Sequence, residues 1–146
     1  MTDINIVEQE KYKPELASHY DELLASLHLV ESFNHSPEEI QGVCEAIGSS
    51  FYLGMLGNVP VAMTTLIHPV LSLGHRTAIV EDVSVHRNYR GMGIGLSMIS
   101  FVEAEAYGLG ANRIELHSSD ARIEAHNLYK KTGFIVFDTN LFRKEL

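Results

Sequence analysis

Val83-Ser84-Val85-His86-Arg87-Asn88-Tyr89-Arg90-Gly91-Met92-Gly93-Ile94-Gly95-Leu96 runs from an apolar strand through a glycine-rich turn into the start of a helix. Glycines at alternate positions clear side chains from the turn, so backbone N–H groups can close around an anion. The partial positive charge of the helix start adds to the attraction, and phosphate is the natural guest. No acid occurs between Val83 and Val102, although acids outnumber bases 19 to 11 over the whole chain. Arg87 and Arg90 stand where a helix N-terminus repels cations unless an anion lies between them, so their clustering points to a bound polyanion. No Lys-Ser or Lys-Thr pair follows the glycines, which excludes the loop of nucleoside triphosphatases, and the glycine pattern is too short for a dinucleotide fingerprint.

Outward from this turn the chain reads as strands and helices in alternation. Upstream, Thr77 to His86 predicts a long strand. Before it come two apolar runs, Phe51 to Leu56 and Val59 to Ile67, joined as a hairpin by Gly57-Asn58. Between hairpin and long strand, His68, Pro69, Gly74 and His75 predict a loop. Nearer the N-terminus, Ile4 to Val7 predicts a short strand, and Leu16, Tyr20, Leu23, Leu24 and Leu27 recur on one helix face. Ser36-Pro37-Glu38-Glu39 has the residues of a capped helix start, with Ile40, Val43 and Ile47 on one stripe. Downstream, Leu96, Ile99, Val102 and Ala106 give the helix after the turn its apolar face, ended by Gly108 and Gly110. A strand over Arg113 to His117 and a helix over Ala121 to Lys131 follow. Phe134 to Phe137 and Leu141 to Lys144 predict a closing hairpin around Asp138-Thr139-Asn140.

The motif is matched further along. Arg90-x-x-Gly93-x-Gly95 behind Val83-Ser84-Val85 resembles the acetyl-coenzyme A motif of the GNAT (Gcn5-related) N-acetyltransferase superfamily. Ala125-His126-Asn127-Leu128-Tyr129-Lys130-Lys131-Thr132-Gly133-Phe134 resembles its second signature, a helix carrying a tyrosine and ending in Gly-Phe. The resemblance covers Thr77 to Phe134 and implies an α/β (α+β) fold. Its central sheet is mixed and mostly antiparallel, with one splayed parallel strand pair and helices on both faces. It also implies acetyl-coenzyme A as cosubstrate, held by Val83, Ser84, Val85 and the cradle Arg90, Gly91, Met92, Gly93, Ile94, Gly95 and Leu96, with Asn127 as a further contact. Many members carry an asparagine seven residues before the tyrosine, where this chain has Arg122.

In such a site the pantetheine arm pairs with the open strand edge, and its backbone N–H groups stabilise the oxyanion formed when an amine attacks the thioester. A free amine is protonated at neutral pH, so a base must take its proton. Glu81, near the middle of the strand, is one candidate and His117, at the end of the next strand, is the other. Asp82 is expected on the opposite side from Glu81. Tyr129 matches the tyrosine that protonates the departing thiolate.

A length of 146 residues with 45% hydrophobic content suits one domain, 1–146. The net charge of −8 disfavours a nucleic-acid partner and suits an amine substrate. The first residues lack a leader pattern and no run approaches the roughly 20 apolar residues of a membrane helix, so a cytoplasmic protein is expected. The histidines show no metal-binding spacing, and no metal is expected. The single cysteine, Cys44, reads as a buried thiol. The second half of the chain most resembles small-molecule members of the superfamily, which implies acetylation of a small primary amine as the first expectation. Peptide or protein N-acetylation and a noncatalytic acetyl-coenzyme A-binding module are the alternatives, and a homodimer is a candidate assembly.

Overall fold

The computed structural model describes residues 2–146. Its strands are β1 (Asn5–Gln9), β2 (Ser49–Leu56), β3 (Val59–Ser72), β4 (His75–Val85) and β5 (Arg113–Leu116), and its helices are α1 (Ala17–His28), α2 (Pro37–Glu45), α3 (Ile94–Gly108) and α4 (Ile123–Lys131). The strands form one sheet in chain order, antiparallel from β1 to β4 and parallel between β4 and β5. This is the mixed α/β fold expected. Among the described residues no helix is long and apolar enough to cross a membrane.

Alternation along the strands divides the core between two faces. Tyr52, Val61, Leu66, Ala78 and Val80 pack with Ile94, Met98, Val102 and Ala106 of α3. Phe51, Leu53 and Met63 pack on the other face with Tyr20 and Leu23 of α1, backed by Ile40 and Val43 of α2. Local chemistry sets the helix ends. Ser36 Oγ accepts the Glu39 N–H at 3.2 Å, with Pro37 in the first turn of α2. Gly93, at φ 80°, turns the chain into α3. α2 stops at Glu45, so Ile47 stands exposed beyond the stripe assigned to it.

Two other expectations are corrected. The stretch from His68 to His75 is not a loop: β3 and β4 run on as a hairpin, pairing Val70 with Thr77 and Ser72 with His75. Pro69 lies where the ladder is interrupted between Ile67 and Val70, so its missing N–H removes no ladder bond and does not end the strand. The closing hairpin is absent, since residues 132–146 form no strand. Ile135, Val136, Phe137 and Phe142 are exposed. β-propensity reports fitness for a half-buried pleated surface, and no second surface meets these side chains here.

α1 is tied to β4 at one buried point, where Ser84 Oγ, 4% exposed, donates to Leu23 O at 2.8 Å. Leu23 itself is fully buried. Leu23→Ala is expected to cost about 3 kcal/mol by leaving a cavity, and Ser84→Ala about 1 kcal/mol by removing one hydrogen bond. Urea unfolding of both variants checks the order, and an equal or reversed cost would refute this account of the α1–β4 seam.

Candidate functional site

The parallel pairing of β4 with β5 ends early. Thr77, Ala78, Ile79 and Val80 pair with Arg113, Ile114, Glu115 and Leu116, and beyond that rung the two strands part. β4 continues to Val85 held by β3 alone, through Met63↔Ser84 and Ala62↔Val85. Val83, Ser84 and Val85 therefore present one unpaired backbone edge to the gap. Just before this edge the β3 ladder slips between Met63 and Thr65, and Asp82 takes a φ of 55°, the signature of a β-bulge.

Glu81 and His117 are the next residues past the Val80↔Leu116 rung, so the two candidate bases stand at the mouth of the gap. Partial desolvation, then the neighbouring Asp82 carboxylate, push the Glu81 carboxyl above its usual range, while His117 and Arg143 pull it down. Arg143 was not singled out in the sequence, because nothing in its spacing connects the C-terminal segment to β4. Asp82 sits at the bulge, where strict alternation no longer fixes the side a residue takes. Its Oδ2 accepts from Thr65 Oγ1 at 2.8 Å, and it lines a cavity of about 240 Å³ between the sheet, α1 and α2.

The glycine turn leaves β4 through a short 3-10 turn, Arg87–Tyr89, and enters α3 at Ile94. Gly91 and Gly93 both have positive φ, at 75° and 80°. No side chain caps α3 and no acid lies in its first turn. The first N–H groups of α3 therefore meet no side-chain acceptor. Met92 and Leu96 are exposed, and Ile94 is buried. Gly95 also has a packing role. A Cβ there would lie 2.9 Å from Leu128 Cδ2 and 3.7 Å from Val85 Cγ2, so its bareness lets α4 and β4 each close against the start of α3.

The arginines also have another role than the clustering suggested. Arg90 donates to Ser26 O at 3.1 Å and Val85 O at 3.2 Å, and Arg87 donates to Val30 O at 2.7 Å. Arg122, at the start of α4, donates to Leu27 O at 2.9 Å. All three guanidinium groups answer carbonyls at the C-terminal end of α1, where peptide dipoles leave negative charge. The case for a bound anion thus rests on the backbone.

On α4, Tyr129 is buried at 8% exposure with its ring centroid 6.0 Å from that of Phe134, and Asn127 is exposed. Burial raises the Tyr129 phenol and Arg122 lowers it. Ser118, two residues past β5, buries a hydroxyl that has no hydrogen-bond partner. Only the folded chain makes it a candidate contact, since an isolated serine carries no sequence signal. Cys44 is half-buried and burial raises its thiol, as expected of an inert cysteine.

No curated protein sequence matches the chain. Among solved structures, a transcriptional regulator from Bacillus halodurans C-125 superposes with a TM-score of 0.82 at 19% identity, covering 98% of this chain and 100% of its own. An acetyltransferase from Trypanosoma brucei gives 0.74 at 25% identity, covering 99% and 100%. The enzyme AAC(6')-Iy, bound to the bisubstrate analogue CoA-S-monomethyl-acetylneamine, gives 0.77 at 12% identity, covering 99% of each chain. The sequence profile of the acetyltransferase (GNAT) family matches residues 12–134. A chain in which that match spans both the parted strand pair and the glycine turn belongs to the GNAT family of acetyltransferases.

Proposed function

We propose that this protein transfers an acetyl group from acetyl-coenzyme A to a primary amine of a small molecule, and that residues 1–146 work as one such domain. The observation that carries the reading is the open β4 edge at Val83, Ser84 and Val85, which leads from the paired bases into the uncapped start of α3. The residues fit the donor: the edge suits an extended pantetheine arm, the Arg90 to Leu96 backbone suits a pyrophosphate, and the orphan Ser118 hydroxyl offers one more contact. Asn127, exposed on α4, is a further candidate contact. When bound, the donor supplies an acetyl group activated as a thioester.

The chain's own groups would then divide the work. N–H groups of the open edge orient the thioester and draw charge toward its carbonyl oxygen. Glu81 takes the proton from the attacking amine, directly or through water, with His117 beside it as the second candidate. A carboxyl held above its usual range is better matched to that task than an ordinary surface glutamate. Tyr129, kept protonated by burial, donates its phenolic proton to the departing sulfur as the C–S bond breaks and the C–N bond forms. The cavity of about 240 Å³ beside Asp82 is the space that would receive the body of a small acceptor.

Release of free thiol from acetyl-coenzyme A in the presence of an amine panel tests the reading, and no amine-dependent release would overturn it. Tyr129→Phe is expected to lower kcat on the order of 100-fold while leaving coenzyme A binding by calorimetry unchanged. Unaltered turnover would remove the tyrosine from the mechanism. Because Glu81 must be ionised, kcat/KM should fall as pH drops through its raised pKa, and Glu81→Gln should abolish that acid limb. Arg143 favours the ionised form, so Arg143→Gln should move the limb to higher pH. A limb that stays in place in both variants would assign the base to another group.

A further inference from the structure

The cavity beside Asp82 has walls of two kinds. Leu24, Ile40, Val43, Phe51 and Met63 make its sides apolar, and its carboxylates are Asp82 and Glu39. Asp82 is half-buried and sits on the bulge that opens the β4 edge, so it marks the end of the cavity nearest the point of transfer. Thr65 holds Oδ2, which leaves Oδ1 without a partner among the described residues. Glu39 is exposed, on the first turn of α2.

No lysine or arginine lines this cavity. Arg87, Arg90 and Arg122, whose guanidinium groups reach the end of the α1 wall, are hydrogen-bonded to the carbonyls of Val30, Ser26 and Leu27. Of the two lining histidines, His35 is held on both ring nitrogens. Nδ1 lies 2.8 Å from Asp21 Oδ1 and Nε2 lies 2.8 Å from Tyr12 OH, so any charge it carries is answered by Asp21. His28 is exposed, its ring stacked on Phe33 at 4.9 Å. A ligand's anionic group would therefore lie against two carboxylates and apolar walls with no fixed cation to meet it, an arrangement that disfavours its ionised form strongly.

We infer that the cavity takes a primary amine on an apolar aliphatic or aromatic body that carries no carboxylate, phosphate or phosphonate. The ammonium pairs with the free oxygen of Asp82 and the body fills the space between α1, α2 and the sheet. This inference rests on the acetyl-transfer reading and narrows its acceptor, excluding amino acids and aminophosphonates.

The test measures binding of 2-phenylethylamine and hexylamine against phenylalanine and 6-aminohexanoate by calorimetry on the whole protein, without acetyl donor. The plain amines should bind at least about tenfold more tightly than their carboxylate-bearing counterparts, because only the latter bury an unanswered anion. Asp82→Asn, whose side chain also tolerates positive φ, should weaken amine binding about tenfold. Equal or tighter binding of the amino acids, or no binding of either amine, overturns the inference. Thiol release with the same compounds separates the two claims. Selective binding without transfer sinks the transferase reading and leaves the cavity's selectivity standing, whereas transfer to the amino acids in preference sinks the selectivity alone.

Discussion

The parting of β4 from β5 after Val80 and Leu116 is the constraint on which the rest of the site depends. A parallel pair that stayed zipped to Val85 would satisfy its backbone internally and leave no edge for a ligand. Three features keep the strands apart. β5 is only four residues long, the bulge at Asp82 turns β4, and α4 packs on Gly95 at the start of α3 through Leu128. An open edge inside a sheet is a liability that proteins ordinarily cover, so its survival here fits a site made for an extended ligand.

A second set of interactions fixes the wall facing that edge. α1 ends in a left-handed Leu29, and the carbonyls of Ser26, Leu27 and Val30 are each met by an arginine from the glycine turn or the start of α4. Residues of the glycine turn and of the start of α4 thus clamp the helix that lines the cavity. Charge is distributed accordingly. Arg87, Arg90 and Arg122 are tied down at the end of α1, the cavity has carboxylates and no lysine or arginine in its lining, and Glu81 feels both signs, through Asp82 on one side and through His117 and Arg143 on the other. Any shift of α1 would disturb the glycine turn, the cavity wall and, through Arg122, the setting of Tyr129 together.

Much of this was legible before folding. Period-2 and period-3.6 patterns placed nearly every strand and helix, and the Ser36-Pro37 cap and the Gly57-Asn58 turn are local chemistry that needs no tertiary partner. Misreadings arose where local signals depend on their surroundings. Pro69 marks a loop only if its ladder position needs an N–H, and Phe134 to Lys144 form strands only if another strand meets them. The arginine cluster suggested an anion because the C-terminal end of α1, far away in sequence, was invisible as a competing source of negative charge.

By itself the sequence determined the order of elements, the glycine-rich strand-turn-helix, and the tyrosine-bearing helix of the family's second signature. Those features follow from side-chain size, backbone freedom and short-range periodicity. Only the tertiary structure decided that Asp82 lines the cavity between the sheet, α1 and α2, that His117 and Arg143 bear on Glu81, and that Gly95 is bare to admit α4. Each depends on a bulge, a register or a contact between segments far apart in the chain, and short-range pattern carries no information about which distant groups will meet.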